Sequence, residues 1–327
     1  MGKQGQHSNF KNQNRELKTG RILFFLVLNF LLLAFFCSPS LAAEKTIGVI
    51  MTGDIQYYKD MHDSFMSKLR RENYADKVEI IMQRPYPDPI SLSNAARKLI
   101  ANEVDVIVAY GAPAALAAFR EKSQIPVVYS SVYEPLTSRI KAKNITGISS
   151  KASVSSLLRY LRGITSISSL GVIYSTNEED SIHQMKELFR LSEQYGFKVE
   201  GLNLKRHNDA KNLFSGTKVD AIFITCSSIA NMASSSIFDF SRDRRIPTVA
   251  MLPDRTSHAI VTLYASPREQ GEKAADKAIR IINGVHPEGI KTDSSNEIEL
   301  VFNLEELIGM GFKIPMDLVT EATKLIQ

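Results

Sequence analysis

Four short stretches combine polar or aromatic side chains with turn residues, each at the end of a Val- and Ile-rich run that predicts a buried strand. They are MTGDIQYYKD at residues 51–60, GAPAALAA at 111–118, STNEEDSIHQ at 175–184 and TCSS at 225–228. Their hydroxyl, carboxylate and phenol groups can hydrogen-bond to a small molecule and pack against it. No nucleophile and base pair up recognisably among them, so these residue types favour binding over catalysis.

Known cofactor motifs are missing from the sequence. A dinucleotide fold needs G-x-G-x-x-G after its first strand, and only Gly53 is present there. No phosphate-loop string G-x-x-x-x-G-K-[ST] occurs, and none of the five histidines beyond residue 43 lies at metal-ligand spacing from another. We therefore predict no cofactor, no metal and no enzyme activity, although a triad assembled only in space is invisible to sequence.

In the first half of the chain, two turns present candidate ligand groups. Tyr57 and Tyr58 form either an aromatic wall for a ligand or the start of a helix with one ring packed and one exposed. Gly111 allows close backbone approach and Pro113 suits a first helical turn. The free N–H groups there would bind an anion such as a carboxylate, unless water satisfies them.

In the second half, the stretch 175–184 predicts the start of a helix. Asn177 or Thr176 can cap it, and Asp180 completes a box-like pattern. The acidic run 178–180 suits the helix dipole without any ligand, but a member that faced a cleft would attract an ammonium. A carboxylate on one half and an ammonium on the other would describe a zwitterion. Replacing Asp180 by Asn should then weaken amino-acid binding without unfolding the protein.

Together with the loops SSVYEP at 130–135 and MLPD at 251–254, these turns supply sixteen predicted ligand-binding residues. They are Asp54, Tyr57, Tyr58, Gly111, Ala112, Pro113, Ala114, Ser130, Ser131, Tyr133, Asn177, Asp180, Ser181, Thr225, Ser227 and Asp254.

The elements that must position these residues occur twice. GVI recurs at residues 48 and 171, KVE at 77 and 198, VD at 104 and 219, and IP at 125 and 246. Four landmarks in the same order at similar offsets indicate a duplicated unit. Within each unit, continuous apolar strands alternate with helical patterns, which is typical of parallel sheets covered on both faces.

We therefore predict an α/β protein with two Rossmann-like, doubly wound lobes joined by a hinge. Ligands of such sheets bind at the carboxyl ends of the strands, so two facing lobes would form one cleft. The predicted division, listed in chain order, is a signal peptide at 1–43, an N-terminal lobe at 44–138, a linker or hinge at 139–165, a C-terminal lobe at 166–265, and a crossover helix with C-terminal segment at 266–327.

The first 43 residues read as an export signal. Five Lys or Arg precede an uncharged run of 15 residues, ILFFLVLNFLLLAFF, and then CSPSLAA. An uncleaved anchor is the alternative, although the run is short for a bilayer span of roughly 20 residues. Without this segment 35 basic and 34 acidic residues remain. The basic excess thus leaves with the signal, and we expect no nucleic-acid partner. Cys226 is then the only cysteine, which excludes an internal disulfide.

The stretches VDVIVAYGAPAALAA, IPVVYSSVYEP, NITGIS, GVIYSTNEEDSIHQMKEL, VDAIFIT, IPTVAM and VFNLEELIGMGFKIPMDLV carry a resemblance over residues 45–327. They are similar to the ABC-transporter substrate-binding proteins with the type I periplasmic fold, in the branch with tryptophan- and tyrosine-binding members. This resemblance implies ligand contacts at 111–114, 130–133, 177–181 and 225–228.

Two stretches depart from the family pattern. The family often has His-Pro and an Asp after its first strand, where this chain has GDIQYYKDM, and Asp-Asn after VDAIFIT, where it has Cys226-Ser227-Ser228. That Asp would be the natural ammonium partner, so amino-acid specificity requires Asp180, Glu179 or Asp254 to replace it.

The resemblance implies an extracytoplasmic protein, a monomer, that binds a small organic solute such as an aromatic or other amino acid. Permease and ATPase subunits of an ABC transporter would be its partners. A sensory subunit for a histidine kinase or chemoreceptor is the alternative, followed by an exported glycosyltransferase-like enzyme.

Overall fold

The computed structural model describes residues 45–136, 138, 140, 142–255 and 258–327. The predicted signal peptide lies outside these residues. None of the helices described is both long and apolar enough to cross a membrane.

Two sheets of matching topology form the two lobes. The first is entirely parallel with the order β2-β1-β3-β4-β5-β11. The second has the order β7-β6-β8-β9-β10-β12-β13 and is parallel except for the antiparallel β10–β12 pair. The first five strands of each lobe thus follow the same 2-1-3-4-5 order, which confirms the predicted α/β fold with two lobes.

The strands form where the sequence runs through Val, Ile and other apolar residues. The first lobe's are β1 Lys45–Met51, β2 Val78–Gln83, β3 Val106–Tyr110, β4 Val127–Val132, β5 Ile145–Ser149 and β11 Asp293–Ser294. The second lobe's are β6 Ser169–Tyr174, β7 Lys198–Asn203, β8 Ala221–Ile224, β9 Thr248–Ala250, β10 Val261–Ala265, β12 Ile298–Asn303 and β13 Lys324–Ile326. β3, β4 and β8 are buried at every position, because helices cover both faces of the sheet.

Helices follow most strands and bury one apolar side each. They are α1 Gln56–Arg71, α2 Pro89–Ala101, α3 Ala112–Arg120, α4 Val154–Ile164, α5 Glu179–Tyr195, α6 Ala210–Leu213, α7 Ser228–Met232, α8 Ser234–Arg244, α9 Pro267–Ile282, α10 Leu304–Gly309 and α11 Met316–Thr320. Gly271 lets α9 lie directly on α1, because a Cβ there would come within 2.1 Å of the Met61 carbonyl oxygen.

The chain passes between the lobes three times, after β5, after β10 and after β11. α9 returns to the first lobe, where Ala274, Ala275 and Ala278 join its core, and β12 goes back to the second sheet. The segment 139–165, predicted as a linker, contains β5 of the first sheet and α4, which packs on the second-lobe core. Its polar residues suggested a linker, but Ile145–Ser149 is buried at every position as an inner strand of the first sheet.

Candidate functional site

A cavity lies between the lobes at the carboxyl ends of both sheets. Its volume is about 20 Å³, which is space for about one water molecule. Its lining residues are Tyr57, Tyr58, Ala112, Pro113, Ser131, Tyr133, Ser150, Ala152, Glu178, Asp180, Gln184, Cys226, Met251, Leu252 and Ala265. Both lobes therefore contribute to one small, mostly enclosed site.

Three tyrosines form the aromatic side of the cavity. Tyr57 and Tyr58, adjacent on α1, are both buried, so neither ring is the exposed one that the alternative interpretation required. The Tyr57 hydroxyl donates to the Ala265 carbonyl at 2.9 Å, and Tyr133 reaches into the second lobe to donate to Glu187 at 3.0 Å. Burial raises the pKa of all three phenols above the usual value. They therefore remain neutral and act as hydrogen-bond donors and apolar surfaces.

Glu178 precedes α5 and lies almost fully buried. Its carboxylate accepts from the Ser228 N–H at 2.7 Å and the Ile229 N–H at 3.3 Å, and from the Ser227 hydroxyl. Burial raises its pKa to about 6, although these hydrogen bonds act in the opposite direction. Glu178 thus ties α5 to the start of α7 and carries a carboxyl that is costly to ionise.

Asp180 crosses the cleft. Its Oδ2 accepts from the Tyr133 backbone N–H at 2.8 Å and its Oδ1 from the Ser138 hydroxyl at 3.3 Å, both in the first lobe. Burial raises its pKa to about 7, and the charge of Glu178 adds to that rise. Within the described residues no Lys, Arg or His forms an ion pair with either carboxylate. The cavity therefore holds two buried acidic groups that have no cationic partner among the residues the structure describes.

Gln184 lies one turn after Asp180 on α5 and is fully buried. Its Oε1 accepts from the Cys226 backbone N–H at 2.7 Å, while its Nε2 has no partner in the part of the chain that is described. Sequence analysis missed Gln184 and considered Glu178 only as part of an acidic run. The i, i+4 spacing of Asp180 and Gln184 was the available clue.

Seven of the sixteen predicted ligand residues line the cavity, and nine do not. The seven are Tyr57, Tyr58, Ala112, Pro113, Ser131, Tyr133 and Asp180; the nine are Asp54, Gly111, Ala114, Ser130, Asn177, Ser181, Thr225, Ser227 and Asp254. All sixteen remain predicted ligand contacts.

Several of the nine are engaged elsewhere. Asp54 is half exposed beside Lys59, and Asp254 contacts His258 at 3.2 Å. Two more, Ser181 and Thr225, form a hydrogen bond between their hydroxyl groups at 2.7 Å.

Two others serve local structure. Ser130 bonds to Gln270 at 2.9 Å, and Ser227 caps α7. These side chains build the walls behind the cavity.

The start of α3 differs from the expected row of free N–H groups. Gly111 has φ +90°, as its glycine allows, but the Ala114 N–H donates to the Thr52 hydroxyl at 3.2 Å. The predicted cap of α5 at Asn177 or Thr176 is wrong. Glu178 occupies the N-cap position in extended backbone conformation, makes no side-chain cap, and the helix begins at Glu179.

Within the described residues no group of three or more His, Cys, Asp or Glu side chains is arranged to hold a metal ion. Burial raises the pKa of the Cys226 thiol well above its usual value, so it lines the cavity as a neutral thiol.

Comparison with known proteins places this architecture in one family. The chain is 21% identical over 276 residues to a tyrosine-binding protein of Clostridioides difficile (strain R20291), covering 81% of this chain and 80% of that protein. An ABC domain from Streptococcus pneumonia in complex with L-Trp has a TM-score of 0.81 at 19% identity, over 86% of this chain and 100% of that one.

A second solved structure is an ABC transporter solute-binding protein from Bacillus halodurans C-125 with bound myo-inositol. It has a TM-score of 0.59 at 17% identity, over 80% of this chain and 95% of the other. A family profile described as "ABC transporter substrate binding protein" matches residues 47–326. That family is extracytoplasmic, binds small-molecule ligands and works with ABC permease components. The chain belongs to the ABC transporter substrate-binding protein family.

Proposed function

We propose that this protein binds an amino acid with an aromatic or other apolar side chain between its lobes and delivers it to an ABC permease. The observation that carries the proposal is the pair of buried carboxylates, Glu178 and Asp180, opposite the tyrosine wall. We further propose that the chain is exported by its first 43 residues and acts as a monomer.

The charge balance of the cavity favours an ammonium. A buried carboxylate is costly unless it is paired or neutralised. A primary ammonium brings one positive charge and three donors, which suits two acidic groups that lie together. Asp180 thus takes the role left open by Cys226-Ser227-Ser228, since Glu179 and Asp254 do not line the cavity.

The tyrosines favour an apolar part on the same solute. Aromatic rings bury large areas and prefer tilted or offset contacts with other rings. Tyr57 and Tyr58 already contact each other at 5.6 Å between ring centroids in a tilted arrangement. The relatives support this direction, because one is described as tyrosine-binding and one holds L-Trp.

Entry of such a solute requires the lobes to part. A cavity of about 20 Å³ is far below the roughly 300–1,000 Å³ of most ligand sites. Across the cleft, Tyr86 and His207 also meet, with the Tyr86 hydroxyl 3.2 Å from the His207 backbone nitrogen. Binding would therefore proceed by opening, capture and closure, and the permease would respond to the closed form.

The proposal is tested by thermal shift and calorimetry of the purified protein with amino acids, simple amines and neutral polyols. We expect amino acids to raise the melting temperature by mass action and polyols to leave it unchanged. Glu178→Gln and Asp180→Asn should weaken binding. Glu179→Gln is the matched control, because that neighbouring carboxylate pairs with His183 away from the cavity. Selective binding of polyols, or unchanged affinity in both cavity variants, would refute the proposal.

A further inference from the structure

We infer that Gln184 binds a hydrogen-bond acceptor located next to the solute's ammonium, so that the site selects α-amino acids over the corresponding amines. This inference rests on the proposed function and adds the second group that the site recognises.

The orientation of the Gln184 amide is fixed by its neighbour. The Cys226 backbone N–H can only donate, and it lies 2.7 Å from Oε1. The oxygen must therefore face Cys226, and the NH₂ group cannot exchange places with it without losing this bond. Gln184 lines the cavity, and Nε2 is its side-chain polar atom without a hydrogen-bond partner among the described residues.

The unpartnered state of Nε2 points to a missing acceptor. Gln184 is 0% exposed, so water outside the protein cannot satisfy its NH₂. Buried donors in proteins nearly always have partners. Two other buried atoms without a partner in the described residues, His183 Nδ1 and Ser228 Oγ, belong to residues that do not line the cavity. Gln184 is therefore the one that a solute can reach.

Helix geometry sets the distance between the two recognised groups. Asp180 and Gln184 are four residues apart on α5, which places their Cβ atoms about 5–6 Å apart on one face. A solute whose ammonium meets Asp180 can offer an acceptor to Gln184 only if that acceptor lies close to the ammonium. The carboxylate of an α-amino acid meets this requirement, because it is bonded to the same carbon atom as the ammonium. A simple amine has no such acceptor.

The test compares L-tyrosine with tyramine, and L-tryptophan with tryptamine, by calorimetry on wild type and Gln184→Glu. The variant keeps an oxygen for the Cys226 N–H and replaces the NH₂ by a second oxygen. We expect wild type to prefer the amino acid by about tenfold or more, which corresponds to one charge-assisted hydrogen bond. Gln184→Glu should lose or invert that preference. Glu179→Gln, the control at a carboxylate on the same helix that does not line the cavity, should keep it.

A purely structural role for Gln184 would weaken both members of each pair equally and leave their ratio unchanged, which would overturn the inference. Equal affinity of wild type for amine and amino acid would also overturn it while leaving the proposed function intact, and this comparison needs no variant. If no ammonium-bearing probe bound, the proposed function and this inference would both fail.

Discussion

Replacing Asp180 by Asn should stabilise the empty protein at neutral pH even as it weakens solute binding. The wild-type carboxyl is 5% exposed, and burial raises its pKa from 3.8 to about 7. A pKa difference of roughly 3, at about 1.4 kcal/mol per unit, makes the ionised form about 4 kcal/mol more costly in the folded than in the unfolded protein. Asn carries no charge, and its oxygen can still accept from the Tyr133 N–H.

The sign of the pH dependence follows from the raised pKa. The folded state holds the Asp180 proton more tightly, so this group's stabilising contribution is complete below about pH 4. It is lost as the pH rises to about 7. The free energy of unfolding of Asp180→Asn should therefore exceed that of wild type by up to about 4 kcal/mol at pH 8, and the difference should shrink towards pH 4.

Urea unfolding of the ligand-free protein at pH 5 and pH 8 measures this difference directly. Glu179→Gln, at the adjacent and more exposed carboxylate, serves as the control and should show little change at either pH. If Asp180→Asn proved less stable than wild type at pH 8, or if the gap did not vary with pH, the hydrogen bonds from Tyr133 and Ser138 would outweigh burial and the reasoning would be refuted.

Three further predictions address the same site and its surroundings. Binding of an ammonium should lower the raised pKa values of Asp180 and Glu178. The affinity for the solute should therefore increase from pH 5 to pH 8, and the two carboxyl groups should release protons on binding near pH 6.5. A calorimetric binding enthalpy that does not depend on the ionisation enthalpy of the buffer would contradict this. Gln270→Leu should destabilise the protein by about 1–3 kcal/mol in urea unfolding, because it removes the buried acceptor 2.8 Å from the Ser131 N–H. An unchanged free energy of unfolding would contradict this. Tyr86→Phe should weaken solute binding severalfold by losing about 1 kcal/mol of contact with His207 across the cleft, whereas unchanged affinity would show that this contact does not favour closure.

The fold was predictable because its determinants are local. Strands buried on both faces appear as continuous Val and Ile runs, and their alternation with helical patterns implies parallel pairing. The repeated landmarks then implied two copies, and the two sheets do share one strand order. Two strands, β5 and β11, were not predicted, because both join the first sheet from polar surroundings.

The site was less predictable because it depends on the rotation of one helix. Successive residues near a helix start point in very different directions, about 100° apart for an ideal α-helix. Glu178 and Asp180 consequently line the cavity, where Glu178 also bonds to the start of α7, whereas Glu179 faces His183. Choosing among them requires the first helical residue, and the predicted cap was one or two residues early. Gln184 was missed for the same reason.

The buried carboxylates also connect solute charge to lobe closure. Asp180 reaches the first lobe only when the cleft is shut, since its partners there are the Tyr133 N–H and the Ser138 hydroxyl. Parting the lobes returns water to this carboxylate and removes the cost of burying its charge. Above pH 7 the charge on Asp180 therefore disfavours the closed form of the empty protein by up to about 4 kcal/mol, nearly a thousandfold. Because opening the lobes relieves this cost, about 4 kcal/mol is also the upper limit of the stability gained in Asp180→Asn.

An ammonium removes that penalty and a neutral solute does not, so only the former shifts the population towards closure. Small-angle scattering at pH 8 provides the measurement. Empty Asp180→Asn should have a smaller radius of gyration than empty wild type, because its closed form no longer buries a charge. At pH 5 burial of Asp180 costs less, because its pKa in the closed form is about 7, and the two should differ less. A wild-type protein that is equally compact at both pH values would show that desolvation of Asp180 does not control closure.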